Sequence, residues 1–521
     1  MAKHLGRRDV LKLAAGSAVA ALLAACGSGS SATNTPSSGG TKSAQTTLPG
    51  GTGGQTPAPS GTLSGGTGGQ TPVPAATSVP AATAAGTQSA ASSVANAASP
   101  SASGSTPLST PNPAIKGTVK YWQQTYDDLN VPSAKFHDDF LNAIKTTLPN
   151  VTLTEEQVAY ADILGKLRTV IRANQTPDMA EIQLTWAPEL AATGALLELN
   201  LADFGYRPEQ FWPGALRGSL WQGKLYGIPK RNETMAFIYN TEIFARAGLD
   251  PTKGPETWED VKNFSKQIKE KTGKPGFGLV AKLNNGNTPY RYMPISWAYG
   301  GAALDETDDA PKYEKSNFDS AGNIAALQWI QDVYTNGWAP QSSLTNTQTE
   351  IYDLFISGEV AMMIDKPSAY PIIKNKAPDV AAKMAYSLYP KGPVRRAVVF
   401  NGWNCVIFKG AKDVDAAKAV VREMTSPLWS LRLSYESSNP GNRDAFTLPE
   451  QQQRIKEIKF LDIATEMMQY GISFPAIPEA GDIMNLYVPQ MMQDVMTKAK
   501  TPEQSAKDTA KKVNDLIAKR K

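Results

Sequence analysis

Histidine and cysteine are scarce in this 521-residue chain, which contains two of each. His4 and Cys26 lie near the N-terminus, so only His137 and Cys405 remain for the rest of the chain. A His-based catalytic triad would therefore depend on His137, which lies in a predicted helix without a nucleophile motif beside it. We expect His137 at the surface. Cys405 has no partner cysteine in the body and is expected to be a buried thiol.

The motifs of metal and nucleotide chemistry are also missing, because the chain has no HExxH, paired CxxC, GxxxxGK[ST] or EF-hand spacing. The net charge also gives no indication of a polyanionic partner. Five of the 52 basic and one of the 48 acidic side chains precede residue 115, so 47 of each sign remain after it. A body without net charge has no domain-wide basic field for nucleic acid. We expect no metal, no cofactor and no nucleic-acid partner.

The N-terminus has the composition of an export signal, predicted over residues 1–25. Basic residues that include Arg7 and Arg8 precede the apolar segment Leu13–Ala25. That segment is shorter than the ~20 residues that cross a bilayer. Arg7-Arg8 resembles a twin-arginine export motif, with an ordinary Sec signal as the alternative. The sequence before Cys26 resembles a bacterial lipobox, which implies that Cys26 becomes lipidated and anchors the chain to the cell membrane.

Residues 26–114 are nearly free of charge, with Lys42 the one charged side chain. Ser, Thr, Gly, Ala, Pro, Gln and Asn make up almost all of the segment, and GGTGGQTP occurs at Gly50 and again at Gly65. Such a composition cannot bury a hydrophobic core. We expect a disordered stalk between the lipid anchor and a folded body.

The body after residue 114 is longer than one hydrophobic core usually serves, so two lobes are expected. Strand-like segments at Thr118–Trp122, Val151–Thr154 and Met179–Leu184 alternate with apolar residues at helical spacing, Tyr160 among them. This alternation predicts a parallel α/β unit. Ligands of such sheets bind beyond the carboxyl ends of the strands, where Trp186 also lies.

The segment from Leu225 to Ile268 joins a Gly/Pro break, a strand and a helix. Met235–Tyr239 predicts a buried strand. Thr257 and Asp260 form a capping-box pair at the start of a helix that should end at Gly273. Further along, Gly278–Ala281 also has the pattern of a strand.

Four pieces of this segment, YGIP, IYN, TEIFARAGL and TWEDV, resemble the family 1 extracellular solute-binding proteins of ABC importers, in particular the maltose-binding-like group. IYDLFISGEVAMMIDKPSAY and NGWNCVIF extend the resemblance. The resemblance implies an α/β fold of two interleaved lobes of the periplasmic-binding-protein type, with a ligand cleft between them. The first lobe would comprise residues 115–232 and 395–437, and the second 233–394 and 438–521. It also implies a non-enzymatic monomer that captures a sugar or oligosaccharide by lobe closure and delivers it to a membrane permease.

A sugar presents weakly apolar faces and a rim of hydroxyl groups, so its receptor needs aromatic rings together with amide or charged groups. The candidate ligand-binding residues near predicted loop ends are Trp122, Trp186, Glu233, Tyr290, Trp297, Asp365, Trp403, Asn404 and Arg443. The resemblance implies that Trp122 and Trp186 are aromatic residues at the ends of the first and third strands. It also implies that Glu233 is an acidic ligand-binding residue and Tyr290 a stacking tyrosine.

Structural roles remain open for several of these residues. The three tryptophans Trp122, Trp186 and Trp403 could belong to the core, and so could Tyr290 and Trp297. Asp365 could instead cap the segment before Pro367. Arg443 could face solvent, a role favoured for Lys230 and Arg231 over contact with an anionic substrate. For the whole chain, the alternatives are a surface-tethered carbohydrate-active enzyme, an adhesion module, or a receptor for a polyol or a sugar phosphate.

Overall fold

The computed structural model describes residues 110–125, 132–306, 313–435 and 438–520. The predicted signal and stalk, including Cys26, lie outside these ranges. Two β-sheets organise the described body, one with six strands and one with three. The strands are, in chain order, β1 (Lys116–Gln124), β2 (Asn150–Val158), β3 (Met179–Gln183), β4 (Leu220–Trp221), β5 (Lys224–Leu225), β6 (Ile228–Glu233), β7 (Ala236–Asn240), β8 (Met362–Asp365), β9 (Met384–Ser387), β10 (Val398–Val399), β11 (Asn401–Ile407), β12 (Asn439–Pro440) and β13 (Gly471–Ile472).

Helices connect and cover the strands. The α-helices are α1 (Pro132–Thr147), α2 (Tyr160–Arg172), α3 (Ala187–Ala192), α4 (Pro213–Gly218), α5 (Thr241–Arg246), α6 (Trp258–Thr272), α7 (Pro289–Ala298), α8 (Ala321–Thr335), α9 (Gln348–Ile356), α10 (Ala369–Lys376), α11 (Pro378–Ala381), α12 (Val414–Met424), α13 (Pro427–Arg432), α14 (Pro449–Glu457), α15 (Leu461–Met467), α16 (Ala480–Asp482), α17 (Val488–Met496) and α18 (Pro502–Ile517). A π-helix, Ile483–Tyr487, joins α16 to α17. Short 3-10 helices span Leu184–Trp186, Leu201–Phe204, Pro208–Gln210, Gln341–Leu344, Arg443–Thr447, Met468–Tyr470 and Ala518–Arg520.

The six-stranded sheet has the order β12-β6-β11-β3-β1-β2. β1 pairs in parallel with β2 and β3, as the alternation of strands and helices predicts. β11 returns late in the chain and inserts antiparallel between β3 and β6. All seven residues of β11 are buried. A strand far away in sequence therefore forms the middle of the first sheet.

The three-stranded sheet has the order β8-β7-β9, and both of its pairings are antiparallel. The chain enters it from the first sheet directly, between β6 and β7, and returns between β10 and β11. β10, which follows the predicted boundary at residue 395, pairs with β13 outside the first sheet. β12, which follows the predicted boundary at residue 438, pairs with β6 and so extends the first sheet. The lobe boundaries themselves stay predictions.

Local sequence signals identify many elements correctly. Thr257 and Asp260 form the predicted capping box of α6, which ends at Gly273 in a left-handed conformation. The strand prediction at Gly278–Ala281 is wrong, because these residues form no strand. Phe277, next to them, makes an isolated bridge to Met362 at the edge of β8. The segment is fully buried, which explains its strand-like apolar composition.

Burial agrees with expectation at Cys405 and differs from it at His137. Cys405 is a buried free thiol, as predicted. The surface prediction for His137 is wrong, because 2% of this residue is exposed. Its imidazole Nε2 contacts the carboxylate of Glu155 and lies 3.0 Å from the amide nitrogen of Gln123. None of the helices in the described ranges combines the length and apolar composition needed to cross a bilayer.

Candidate functional site

A cavity of about 970 Å³ lies between elements of the two sheets. Residues of β3, β6 and β11 line it on one side. The opposite side is formed by α7, α9, the segment after β8, and the π-helix. Strands of the six-stranded sheet therefore form one wall, and helices and loops next to the three-stranded sheet form the other, which is the arrangement expected of a cleft between two lobes.

Three aromatic rings form a group at one wall of the cavity, and we call this group the aromatic wall: Tyr160, Trp186 and Trp403. The centroid of the Tyr160 ring lies 6.0 Å from that of each tryptophan, and the two tryptophan rings are 5.8 Å apart. Tyr160, the first residue of α2, is 50% exposed. The wall therefore offers apolar ring surface to the cavity.

A β-bulge fixes the position of Trp403 in this wall. Trp403 pairs with Arg231 of β6, but the next residue, Asn404, pairs with Pro229, so Lys230 is an extra residue on β6. Bulges of this kind change the direction of side chains near binding sites. Gly402 precedes the bulge, and a Cβ there would lie 2.3 Å from the carbonyl oxygen of Arg231. The close approach of β6 and β11 requires glycine at this position.

Five charged side chains of alternating sign run along the floor of the cavity, and we call them the charge relay. Lys230 Nζ lies 3.3 Å from Glu181 Oε2, and Arg231 Nε lies 3.0 Å from Glu181 Oε1. Arg231 continues to Glu233, at 3.3 Å, and Lys366 Nζ donates to Glu233 Oε2 at 2.6 Å. The Arg231 guanidinium also stacks on the Trp403 ring, with its Cζ 4.6 Å from the centroid. The relay thus connects the floor to the aromatic wall.

Both carboxylates of the relay are ionised in spite of their burial. Burial by itself raises the pKa of Glu181, but Lys230 and Arg231 outweigh it and hold the pKa below its ordinary value. The same opposition acts on Glu233, where Lys366 and Arg231 lower the pKa against the effect of burial. Because the folded protein excludes most water from these ion pairs, each carboxylate depends on its neighbouring cations for compensation of its charge.

Two polar contacts cross the cavity floor from one sheet's elements to the other's. The first is the Glu233–Lys366 pair, which joins the end of β6 to the residue after β8. In the second, Asn401 of β11 donates from Nδ2 to the Tyr290 hydroxyl at the start of α7. Both lie beside the points where the chain crosses between sheets, so they set the spacing of the two walls near the crossings.

The sequence of the chain matches the family described as bacterial extracellular solute-binding protein over residues 126–429. The chain belongs to this family. Its members bind solutes and are not enzymes, so this solute-binding protein of the ABC-transporter type is no enzyme, as its sequence predicted. Family membership also places it outside the cytoplasm.

Individual relatives of this solute-binding protein are distant. A binding protein of Brucella abortus is 24% identical over 426 residues, which are 80% of this chain and 97% of its own. The diacetylchitobiose-binding protein of Streptomyces coelicolor is 25% identical over 365 residues, covering 68% of this chain and 80% of its own. The sugar-binding protein MalE of Xanthomonas citri has a similar structure, with a TM-score of 0.66 at 20% identity over 78% of this chain and 98% of that one. The predicted periplasmic-binding-protein fold is confirmed.

Four of the nine candidate ligand-binding residues of this solute-binding protein line the cavity. They are Trp186, Glu233, Tyr290 and Trp403. Trp186 and Trp403 belong to the aromatic wall, whereas Glu233 and Tyr290 make the contacts that cross the floor. Their role in binding stays a prediction. Cys26, the predicted lipidation site, lies outside the described residues.

Two aromatic candidates are packed away from the cavity. Trp122 is 9% exposed and contacts the apolar core beneath α2, with Lys166 Nζ 4.5 Å from its ring centroid. Trp297 is buried in the core of the second sheet, and its ring lies 6.4 Å from that of Phe474. Both rings belong to the hydrophobic core, which is the alternative that the sequence left open.

The three polar candidates other than Glu233 also lie outside the cavity lining. Asn404 is fully buried, and its amide nitrogen donates to Ser219 Oγ at 2.8 Å. Arg443 is exposed, stacks on Trp212 with its Cζ 4.6 Å from the ring centroid, and donates to a backbone carbonyl.

Asp365 is buried against Arg291, at 3.2 Å, beneath the lining. Burial raises its pKa, although Arg291 opposes this. Asp365 Oδ1 accepts hydrogen bonds from Gln348 Nε2 at 2.9 Å and from the backbone N–H of Lys366 at 2.7 Å. It positions two residues that do face the cavity.

Sequence reasoning missed several lining residues. Tyr160 has the spacing of a buried helical position, but it is the first residue of α2 and so projects from the helix end. The solvent-facing prediction for Lys230 is wrong, because 1% of it is exposed. No sequence motif marks Lys366 as a lining residue. The signal available was the concentration of charge in KRNE, since a strand with two cations and a carboxylate in a buried sheet requires counter-ions.

We predict that Glu181→Gln destabilises this solute-binding protein by ~3–5 kcal/mol at neutral pH, since it removes the buried carboxylate that pairs with both Lys230 and Arg231. Because the pKa of Glu181 is lowered in the folded state, its stabilising effect is present above the ordinary glutamate pKa of about 4.3 and is lost as the pH falls below it. Urea unfolding followed from neutral to acidic pH should therefore show the variant and wild type converging in acid.

Glu198→Gln is the matched control, because Glu198 pairs with Lys224 where both side chains are more than half exposed. Its free energy of unfolding should change by less than ~1 kcal/mol. A constant difference between Glu181→Gln and wild type at every pH would contradict the assignment of an ionised, stabilising Glu181.

Proposed function

We propose that this chain captures a sugar or oligosaccharide in the cavity between its sheets and delivers it to the membrane permease of an ABC importer. The aromatic wall is the observation that carries this proposal. Tyr160 and Trp186 present ring surface to the cavity, and the buried ring of Trp403 packs against both of them, with all three centroids within 6.0 Å of one another. Sugars stack their C–H faces on such rings. The acceptors and donors of the floor lie directly beside the wall.

Amide side chains supply the hydrogen-bonding groups that a sugar rim needs. Gln183, Asn287, Gln348 and Asn401 line the cavity. Asn401 Oδ1 is buried and accepts no hydrogen bond from the described residues. A buried acceptor of this kind is costly unless a partner satisfies it, and a sugar hydroxyl would do so.

The size of the cavity favours more than one sugar ring. Its volume of about 970 Å³ is at the upper end of the ~300–1,000 Å³ typical of small-molecule sites. Polar groups from both walls surround it, so a ligand that contacts both walls would stabilise a closed arrangement of the two lobes. We therefore favour an oligosaccharide, with a polyol or a sugar phosphate as the other candidate.

Attachment to the membrane completes the proposal. Cys26 follows a signal-like segment with the small residues typical of a lipobox, and about ninety residues without a core-forming composition separate it from β1. A lipid on Cys26 would keep the binding lobes near a permease while the stalk lets them reach it. Export through the twin-arginine route is proposed on Arg7-Arg8.

We predict that Trp186→Ala weakens saccharide binding by about tenfold to a hundredfold, because the variant loses a stacking ring. Trp186 is suitable because it is half-buried in a short 3-10 helix. Isothermal titration calorimetry with a panel of oligosaccharides, polyols, sugar phosphates and peptides would identify a ligand and measure the loss.

Arg443→Ala is the control for this experiment, since Arg443 lies outside the cavity lining, and its affinity should stay within about twofold of wild type. Binding of a peptide with no response to any carbohydrate would overturn the proposed substrate class. Unchanged affinity in Trp186→Ala would remove the aromatic wall from the site.

We predict that Cys26→Ser releases the protein from the membrane, because serine cannot form the thioether through which a lipobox cysteine is lipidated. Expression of the full chain in a bacterium that processes lipoproteins, followed by fractionation, would measure this. A Ser28→Ala variant should remain in the membrane fraction. Membrane retention of Cys26→Ser would refute the anchor.

A further inference from the structure

Three large apolar side chains are exposed inside the cavity. Among the described residues, five large apolar side chains have more than a third of their surface exposed: Tyr160, Leu283, Ile372, Val394 and Leu486. Three of them, Tyr160, Ile372 and Leu486, line the cavity. Exposed apolar residues are normally scattered singly over a protein surface, whereas their concentration in a concave site is typical of a ligand-binding groove. The cavity therefore has exposed apolar surface in addition to the aromatic wall.

Ile372 and Leu486 lie on the side of the cavity opposite Tyr160. Ile372 is 38% exposed and belongs to α10, the helix after β8, whereas Leu486 is 41% exposed and belongs to the π-helix. Nearby residues of the same two elements, Ile373 and Met484, are buried in hydrophobic cores. These buried residues fix the backbone on both sides, so Ile372 and Leu486 are held at the cavity surface.

The π-helix lies beside the aromatic wall. α16, which leads into it, contacts the 3-10 helix Leu184–Trp186, and this helix carries one ring of the wall. π-Helical turns are rare and occur frequently at functional sites. Ile483 and Met484 of this turn are buried, while Leu486 is exposed at the cavity. A sugar ring stacked on Trp186 is therefore next to the element that carries Leu486.

The charges of the cavity do not select a ligand by its net charge. Four cations and four carboxylates line it: Arg168, Lys230, Arg231 and Lys366, and Glu181, Glu189, Glu233 and Asp482. Most of these charges are paired with one another. Hydroxyl groups of any neutral sugar can bond to such polar groups. The exposed aliphatic side chains are left to distinguish one neutral saccharide from another.

From this arrangement we propose that the cavity is built for a saccharide that carries an apolar, methyl-bearing substituent, which packs against Leu486 while its ring stacks on the aromatic wall. This inference rests on the proposed sugar-binding function and specifies its substrate class. A fully hydroxylated sugar would place a hydroxyl group against an aliphatic side chain that cannot bond to it, and closure would remove the water that does. A methyl group in the same place would instead bury apolar surface of both molecules, which is favourable. Ile372 extends this apolar surface on the same side of the cavity.

Matched ligand pairs test this directly. Calorimetry on the full chain would compare N-acetylated disaccharides with neutral disaccharides that have a hydroxyl at that position, 6-deoxyhexosides with the parent hexosides, and alkyl glycosides with the free sugars. The methyl-bearing member of at least one pair should bind about fourfold more tightly or better, the gain expected from one buried methyl group. Its heat-capacity change on binding should be the more negative one. The pair that shows the gain identifies the kind of substituent.

Two variants at one position separate apolar contact from other roles. Leu486→Ala should remove most of the preference and change the affinity for the hydroxylated member by less than about twofold. Leu486→Met should retain the preference, because methionine is apolar and similar in volume. Val394→Ala is the control, because Val394 is 57% exposed and lies outside the cavity lining. It should leave the preference unchanged.

The outcomes are distinguishable from failure of the proposed function. Hydroxylated saccharides that bind as tightly as their methyl-bearing counterparts in every pair would overturn the apolar class alone. Equal weakening of both members by Leu486→Ala would also overturn it, since Leu486 would then act only in the closure of the lobes. Absence of binding by every saccharide in every pair would overturn both the inference and the function on which it rests.

Discussion

The cleft depends on one buried carboxylate, Glu181, which is held between Lys230 and Arg231 in the middle of the first sheet. A lone charge at this depth would be prohibitively costly, so each cation requires the carboxylate and the carboxylate requires both cations. Arg231 then has one side of its guanidinium on Glu181 and its plane on Trp403, and this fixes the ring in the aromatic wall. The electrostatic constraint and the aromatic surface are therefore parts of one arrangement.

Chain topology explains why these groups meet. β6 supplies two cations and Glu233 and then crosses into the second sheet within a few residues, while β11 returns to lie beside it. The bulge between them makes Lys230 face the interior and Arg231 face Trp403. Because the crossing segments and the lining are the same strands, a change in the angle between the sheets would act directly on the contacts made by Glu233 and Asn401.

The local structure of this chain could be predicted from sequence because its causes are local. Thr257 and Asp260 are three residues apart, and the alternation of strands and helices before Trp186 requires a parallel sheet. The family resemblance added the lobed fold and three cavity-lining residues, Trp186, Glu233 and Tyr290. The burial of His137 depends on Glu155 of β2, and the position of the Lys366 side chain in the cavity depends on Glu233 of β6. Such partners are distant in sequence, so no spacing or periodicity in the sequence predicts these contacts.

Hydrogen exchange measured by mass spectrometry, with and without a saccharide that binds, tests the central claim most directly. A ligand held between the sheets should slow exchange in peptides from both walls, those containing Tyr160 and Trp186 on one side and those containing Tyr290 and Lys366 on the other, by about tenfold or more at saturation. Peptides of α12, on the far side of the first sheet, should change little. Protection confined to a single wall, or to a region that includes neither, would contradict a binding site between the two lobes.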